Sequence, residues 1–433
     1  MPDASLDRPL PIRHPAWIEV DLGALVHNAG VLRRSIPEGC RLGLLVKANA
    51  YGHGLEMAAR AAVAGGADQL IVANLDEGLA LRAAGLDAPI LIVYPIPPGA
   101  VGEAVGAGLE LSVGGLGSVR RTLEAWVGRD AAGQAGPDGL RLHVEVDTGM
   151  GRGGIVPEAV PEAIALIDAA PGATLTGIWT HLANGSDPAV SGRQTSRLTA
   201  VLDALAATGR PMPLRHVAAT EGIFVATAPT YDMVRVGLGY YGEIGLGVRP
   251  AAGREALAAE LRPAMSVKAR PVRLETIAAG GSVGYGGEWT AKRRSLVATL
   301  PIGYADGWSR STWPGAEALV GGRRVPLVGR VSMDSVCADV TDAGTVTMGD
   351  EFVLLGRQGD ERITAADLAG QRGTIPNEIF CSFGPRLPRV YLQDGRVAAV
   401  ARQVEQVDRS SAAPGPGEGP GEGPPRTGSA MPS

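Results

Sequence analysis

The stretch Leu42-Gly43-Leu44-Leu45-Val46-Lys47-Ala48-Asn49-Ala50-Tyr51-Gly52-His53-Gly54 decides how the rest of the chain is interpreted. Its apolar run predicts a strand buried on both faces, with Lys47 at the carboxyl end, where parallel α/β sheets place their ligands. Partial burial of a lysine favours the neutral amine, which can attack an aldehyde and hold it as a Schiff base. The alternative is a solvated lysine that begins a surface loop. The tyrosine and the two glycines that follow favour the functional interpretation.

Strand-like and helix-like segments alternate around this stretch as far as residue 250. Eight segments have the apolar pattern of strands: 42–46, 69–73, 89–94, 109–113, 140–146, 174–179, 214–217 and 233–236. The clearest predicted helices are 55–63, 75–84, 117–127, 157–169 and 192–208. Asp21 is a predicted N-cap for a helix through Arg34. Because parallel strands need crossover connections, this order predicts an α/β fold in which residues 15–250 form a (β/α)8 TIM-like barrel.

The pattern changes after Gly247, where short β-like runs separated by glycine turns replace the helices. These runs are 264–278, 295–300, 325–331, 336–340 and 352–355, with one predicted helix at 361–372. They predict a second, mostly antiparallel β domain over residues 251–405. Residues 1–14 are predicted to be a flexible leader. Residues 406–433 are predicted to be a disordered Pro/Gly tail, because this composition buries little apolar surface.

The bulk composition narrows the class of protein. The chain has 433 residues, 45% of them hydrophobic and 20% charged, so it can bury a sizeable core. A formal net charge of -5 and 4% aromatic residues argue against a nucleic-acid partner. Cys40, Cys337 and Cys381 lie far apart, which argues for a reducing compartment and against a disulfide framework or a metal site. Without a signal peptide or a membrane-spanning run, we expect a cytoplasmic protein with no membrane partner.

Polar residues gather where the predicted barrel strands end. Asp147-Thr148-Gly149-Met150-Gly151-Arg152 follows the fifth strand, and His181 ends the sixth. His216 lies in the seventh strand and Arg235 in the eighth. Each residue alone has a structural explanation, but their common position on the rim with Lys47 indicates a site.

The end of the barrel also predicts a phosphate site. Barrels commonly bind phosphate with the loops after their last two strands. There Thr220 offers a hydroxyl, and Gly237 and Leu238 offer backbone N–H groups that a ligand can approach closely. Tyr51 adds a phenol from the lysine stretch.

The motif Val46-Lys47-Ala48-Asn49-Ala50-Tyr51-Gly52-His53-Gly54 resembles the pyridoxal 5'-phosphate (PLP) motif of the alanine racemase family. The resemblance implies that Lys47 carries the cofactor and that Tyr51 contacts its phosphate. It implies that Arg152 meets the cofactor's phenolic oxygen and the substrate carboxylate, and that Arg235 contacts the pyridine nitrogen. Arginine cannot give that nitrogen a proton, which suits a racemase. Decarboxylases on the same barrel generally place a carboxylate there.

The predicted β domain carries a second part of the resemblance. Gly281-Ser282-Val283-Gly284-Tyr285-Gly286 is similar to the family segment that holds a second base, so Tyr285 and Lys47 are implied to serve opposite faces of the substrate carbon. His181 is implied to support Tyr285 and to link it to Arg235, and His216 is expected in the surrounding shell.

Two more β-domain motifs resemble those of the family. Tyr304, in Gly303-Tyr304-Ala305-Asp306-Gly307, is implied to lie at the entrance. The backbone N–H of Met333 is implied to bind the substrate carboxylate, with Asp334 beside it. In the family these residues, like Tyr285, come from the partner subunit of a head-to-tail homodimer.

Four positions depart from the family pattern. Ser332 stands in place of the cysteine of the family's Cys-Met-Asp motif. Thr220 stands where the family usually has serine, which keeps the hydroxyl. Glu145 stands where many relatives have a carbamylated lysine, and we expect its carboxylate to replace that anion beside Arg152. Asn377 stands where the family usually has a tyrosine that touches the phosphate, so we expect a wider pocket that accepts serine better.

The resemblance implies a cytoplasmic, PLP-dependent alanine racemase that interconverts L-alanine and D-alanine and supplies D-alanine for peptidoglycan. The nearest alternative is a serine or broad-specificity amino-acid racemase, which Asn377 favours. A decarboxylase on the same barrel is disfavoured by Arg235. A non-catalytic PLP-binding protein is disfavoured by the second domain, since such proteins resemble the barrel alone.

Overall fold

The fold is a closed parallel barrel followed by a mostly antiparallel sheet, as the sequence predicts. The computed structural model describes residues 12–130 and 139–402. The predicted tail, the last three residues of the predicted β domain, and all but the end of the predicted leader lie outside the described residues. The predicted division of the chain at residue 250 stays a prediction.

Eight parallel strands close the barrel, and their order in space follows their order in the chain. The first and last pair directly, with Leu42 opposite Val234 and Leu44 opposite Val236. These apolar residues are fully buried, as expected for strands covered on both faces. The barrel strands are β2 (Arg41–Leu45), β3 (Gln69–Val72), β4 (Ile90–Ile92), β5 (Leu109–Val113), β6 (Leu140–Glu145), β7 (Ala173–Trp179), β8 (Leu214–His216) and β9 (Met233–Val236).

Helices connect the strands, and several of them begin at a side-chain cap. Asp21 Oδ1 accepts the Ala24 N–H at 2.9 Å and starts the first helix, as expected. Asn74 caps the fourth helix in the same way through the Glu77 N–H. The helices are α1 (Leu22–Arg34), α2 (Lys47–Tyr51), α3 (Leu55–Ala64), α4 (Leu75–Ala83), α5 (Val101–Gly106), α6 (Leu116–Asp130), α7 (Val160–Ala169), α8 (Pro188–Ala206), α9 (Thr220–Phe224), α10 (Glu255–Glu260), α11 (Ala365–Arg372) and α12 (Pro376–Ser382).

The second sheet begins with a strand from the start of the chain. Strand β1 (Ala16–Asp21), which falls in the range predicted for the barrel, pairs antiparallel with β10 and parallel with β20. The later strands are β10 (Met265–Ala269), β11 (Arg273–Ile277), β12 (Ser282–Val283), β13 (Trp289–Thr290), β14 (Ser295–Leu300), β15 (Glu317–Val320), β16 (Arg323–Val328), β17 (Val336–Asp339), β18 (Phe352–Gln358), β19 (Glu361–Ile363), β20 (Arg389–Gln393) and β21 (Arg396–Ala401).

Two predictions for this sheet are wrong in detail. The run 264–278 is two strands, because Pro271 lacks the N–H that a continuous strand would need. The segment 361–372 begins as strand β19, and its helix starts only after Thr364, whose hydroxyl accepts the Asp367 N–H. None of the helices described within residues 12–130 and 139–402 is long and apolar enough to cross a membrane.

Candidate active site

Lys47 lies two residues after the end of the first barrel strand and begins a left-handed turn. Ala48, Asn49, Ala50 and Tyr51 all have φ between 51° and 54°. Such angles are rare for residues other than glycine and cost roughly 1–2 kcal/mol per residue. Glu77 holds this turn in place, because its carboxylate accepts the Ala48 N–H at 2.6 Å and the N–H of Ala73, after β3, at 2.8 Å.

The amine of Lys47 lies in a partly buried, cationic environment. Burial and the charge of Arg152 lower its pKa, and Arg235 adds to this effect, whereas Glu77 and Cys381 oppose it. Burial together with Arg235, Arg152 and Lys47 lowers the pKa of His181 to about 3, so this imidazole is neutral at pH 7. The structure therefore brings Lys47, Arg152, His181 and Arg235 together, as the sequence predicts.

The predicted phosphate residues surround Gly237. A Cβ built on Gly237 would lie 2.5 Å from the Tyr51 hydroxyl oxygen, so only glycine leaves this space free. Thr220 Oγ1 accepts the Gly239 N–H at 3.0 Å and fixes the loop. Leu238 begins a short 3-10 helix, whose first N–H groups have no partner inside the helix.

Helix α12 brings residues of the second domain to the same place. Burial raises the pKa of the Tyr51 hydroxyl, Cys381 raises it further, and a hydrogen bond with Asn377 opposes the shift. A Cβ on Gly52 would overlap the carbonyl of Phe380, so the lysine turn and α12 pack without space between them. Asn377 thus lies beside Tyr51, where the sequence predicts it.

Arg235 is buried, and its donors are almost fully used by the protein. Nη1 donates to His216 Nδ1 and to the His216 carbonyl, both at 2.9 Å. Nη2 donates to the carbonyls of Thr180 at 2.8 Å and Val217 at 3.3 Å. Burial lowers the pKa of Arg235 to about 9, which still leaves the guanidinium charged at pH 7. Arginine has five N–H donors, and the Nε–H has no acceptor in the described part of the chain.

Arg152 follows a turn that is held by hydrogen bonds to the Asp147 carboxylate. Asp147 Oδ1 accepts the N–H groups of Gly149, Met150 and Gly151 at 2.9, 3.0 and 3.1 Å. Glu145 ends β6 nearby and is half-buried. Burial raises the pKa of Glu145, and the charges of Arg152 and Arg235 oppose that shift. Glu145 therefore lies close enough to both arginines to compensate their charge.

The remaining predicted residues form a second group, on the β domain. Tyr285, Met333 and Tyr304 are 65%, 53% and 41% exposed. The Tyr304 N–H donates to the Ser332 carbonyl at 3.1 Å, and the Ala305 N–H to the Met333 carbonyl at 3.0 Å, so these two loops pack together. Asp334 accepts a hydrogen bond from Arg386 at 2.8 Å. Within the residues described, Tyr285 makes no hydrogen bond or ring contact with the Lys47 group.

Sequence reasoning missed four residues in or behind the site: Glu77, Glu110, His143 and Cys381. Glu77 lies in the first turn of α4, where acidic residues are common, so the sequence does not distinguish it. Its contact with the lysine turn depends on the pairing of β2 with β3. His143 and Glu110 lie singly in apolar strands, with no motif to distinguish them. Among the described residues, no group of three or more His, Cys, Asp or Glu could hold a metal ion.

Comparison with known proteins identifies the relatives of this chain. Residues 20–244 match the family model "Alanine racemase, N-terminal domain", and residues 264–391 match "Alanine racemase, C-terminal domain". The chain is 40% identical over 381 residues to the alanine racemase of Symbiobacterium thermophilum, covering 87% of this chain and 97% of that protein.

The chain belongs to the alanine racemase family.

Other relatives agree with this assignment. The alanine racemase of Geobacillus kaustophilus is 37% identical over 391 residues, which is 90% of this chain and 97% of the relative. The crystal structure of alanine racemase from Bacillus anthracis with bound L-Ala-P is 32% identical, with a TM-score of 0.82 over 91% of this chain and 99% of that one.

This family member is an isomerase. The comparisons favour alanine racemase over the serine or broad-specificity alternative that Asn377 suggested. The match to a C-terminal domain model also argues against a PLP-binding protein that consists of the barrel alone.

Proposed function

We propose that this isomerase interconverts L-alanine and D-alanine with PLP as its cofactor. The observation that carries the proposal is the convergence of Lys47, Arg152, His181 and Arg235 on one rim of the barrel. The amine of Lys47, with its lowered pKa, suits attachment to an aldehyde. When bound, the cofactor would withdraw electrons from the substrate and so acidify the proton on its α-carbon.

The residues around Gly237 suit the cofactor's phosphate. The space that a Cβ on Gly237 would fill is bounded by the Tyr51 hydroxyl, and Thr220 holds the adjoining loop. The backbone N–H groups of Gly237 and Leu238 are the expected phosphate donors. At the other end of the group, the Nε–H of Arg235 would face the pyridine nitrogen as a donor.

Two residues would move the proton at the α-carbon of alanine. Lys47 Nζ takes or returns it on one face, and Tyr285 Oη does so on the other. His181, neutral at pH 7, supports the phenol as a hydrogen-bond partner. Arg152 and the Met333 N–H hold the substrate carboxylate, and the charge of Glu145 keeps the guanidinium of Arg152 in place.

Tyr285 would act across a head-to-tail homodimer. The exposure of Tyr285, which makes no hydrogen bond or ring contact with the Lys47 group of its own chain within the described residues, supports a site that the partner subunit's Tyr285 and the partner subunit's Met333 complete. Tyr304 and Asp334 would then border the entrance. We place the enzyme in the cytoplasm, in keeping with its free cysteines, and assign it the supply of D-alanine for peptidoglycan.

A racemisation assay combined with borohydride trapping tests this proposal. Full-length protein with PLP should convert L-alanine to the racemic mixture without releasing carbon dioxide. Reduction with borohydride and peptide mapping should then find a pyridoxyl group on Lys47. The Lys47→Arg variant is the matched control, because it keeps the charge but should give no labelled peptide. Carbon dioxide release, or PLP binding with neither reaction, would refute the proposed function.

A further inference from the structure

A chain of buried hydrogen bonds crosses the barrel behind Arg235. His216 Nδ1 lies 2.9 Å from Arg235 Nη1, and His216 Nε2 lies 2.9 Å from His143 Nδ1. His143 Nε2 lies 2.7 Å from Glu110 Oε2. Both histidines are at most 1% exposed. These hydrogen bonds thus join strands β9, β8, β6 and β5, and they end on the carboxylate of Glu110.

Only one proton arrangement satisfies every member of this chain. Arginine donates and never accepts, so His216 Nδ1 must be unprotonated and its Nε2 must carry the proton. That N–H donates to His143 Nδ1, which leaves the proton of His143 on Nε2, where Glu110 accepts it. A doubly protonated His143 would force a proton onto His216 Nδ1, facing the N–H of Arg235. Each histidine therefore carries its proton on Nε2, and every hydrogen bond points from Arg235 toward Glu110.

Residues on β7 leave space for the His143 ring and pack against His216 and Arg235. Gly177 lies on β7, between the strands that carry the two histidines, and a Cβ there would overlap the His143 ring. The Trp179 indole lies 4.6 Å from the Arg235 guanidinium carbon and is nearly parallel to the His216 ring. Its Nε1 donates to Ser112 Oγ at 2.8 Å.

Glu110 is held as an anion at the far end of the chain. Gln69 Nε2 donates to its Oε2 at 3.2 Å, and Arg141 Nε lies 4.0 Å from its Oε1. Burial alone would raise the pKa of Glu110, but the hydrogen bond from His143, together with Arg141 and Gln69, lowers it. A carboxylate with a lowered pKa is ionised at pH 7, and an ionised carboxylate only accepts.

We propose that Glu110, acting through His143 and His216, is a positioning residue that fixes the guanidinium of Arg235. By accepting the last proton of the chain, it selects the histidine tautomers that leave His216 Nδ1 free to accept from Arg235. The guanidinium is then fixed by four hydrogen bonds, and its Nε–H alone is left to meet the cofactor ring. Only this last step rests on the proposed function; the tautomers are a property of the protein without cofactor.

The tautomers can be measured on the cofactor-free protein by nitrogen-15 NMR of the histidine rings. The protein has six histidines, so each ring signal can be assigned by substitution of one histidine. We expect both His143 and His216 to carry the proton on Nε2 in the wild-type protein. A proton on Nδ1 of His216 would overturn the proposal, whatever the enzyme catalyses.

Two variants separate the acceptor from its charge. Glu110→Leu removes the acceptor, and we expect the proton of His216 to move to Nδ1 in a substantial fraction of molecules. Its PLP dissociation constant should rise about tenfold, since a hydrogen bond with a charged group is lost from Arg235. Glu110→Gln keeps an oxygen acceptor, so it should retain the wild-type tautomers and most of the affinity.

Glu19→Gln is the matched control. Like Glu110, Glu19 is a carboxylate held by neighbouring side chains: it accepts the Trp17 Nε1–H at 2.9 Å and pairs with Lys268 at 2.8 Å, but it lies in the second sheet. We expect it to change neither the histidine signals nor PLP affinity. If Glu110→Leu leaves the His216 tautomer unchanged, the proposal is wrong. If the tautomers shift but PLP does not bind to the wild-type protein, the proposed function fails and the chain of hydrogen bonds stands.

Discussion

The left-handed turn after Lys47 reverses the usual effect of glycine on a helical segment. Ala48 is exposed and has φ 54° and ψ 50°, which costs an L-residue roughly 1–2 kcal/mol and glycine almost nothing. Glycine also raises the entropy of the unfolded chain, at a cost of about 0.4–1 kcal/mol. Ala48→Gly should therefore stabilise the protein by roughly 0.5–1 kcal/mol.

Ala80→Gly is the matched control for this prediction. Ala80 is also exposed but lies within the right-handed helix α4, where glycine should destabilise by about 0.5–1 kcal/mol. The assay is urea unfolding of both variants without cofactor, at one protein concentration, with midpoints compared at an unchanged slope. If Ala48→Gly destabilises as much as Ala80→Gly, the left-handed turn does not exist in solution.

Gly237, Glu145 and His53 each provide a further test. Gly237→Ala should weaken PLP binding by roughly 5- to 150-fold in a titration, because its Cβ would lie 2.5 Å from the Tyr51 hydroxyl and overpacking costs about 1–3 kcal/mol. Wild-type activity should not respond to bicarbonate, whereas Glu145→Gln should raise the KM for alanine more than it lowers kcat. His53 is buried with a pKa lowered to about 4 from 6.5, so the unfolded chain binds more protons in that range. His53 alone should lower the free energy of unfolding by up to roughly 3 kcal/mol as pH drops from 6.5 to 4, and His53→Phe should remove that part of the pH dependence in thermal unfolding.

Much of the fold could be predicted because the barrel strands are short apolar runs with glycine or polar ends. The partners of a strand are harder to predict, because they depend on tertiary pairing. Strand β1 lies within the range predicted for the barrel, yet it pairs with β10 and β20 in the other sheet. Helix α5 was not among the clearest predicted helices, because its glycine-rich sequence, Val-Gly-Glu-Ala-Val-Gly, has little helical propensity of its own.

The site was predictable where barrel geometry alone brings residues together. His181 and Arg235 follow from their places at strand ends, and both lie near Lys47. The roles of Glu110 and His143 were not predictable. Their strands, β5 and β6, are consecutive in the predicted barrel, but only the register of their pairing shows that the two side chains meet. Cys381 approaches Lys47 only because α12 of the second domain packs on the lysine turn.

Mixed dimers show whether one chain's Lys47 and the partner subunit's Tyr285 form a single site. Lys47→Ala and Tyr285→Phe are each expected to be inactive as homodimers. After the two are unfolded together in equal amounts and refolded, half the dimers are mixed, and each should contain one intact site. We predict recovery of about a quarter of the wild-type activity from this statistical assembly. If Tyr285 served the Lys47 of its own chain, neither site of a mixed dimer would be intact, and the mixture would stay inactive.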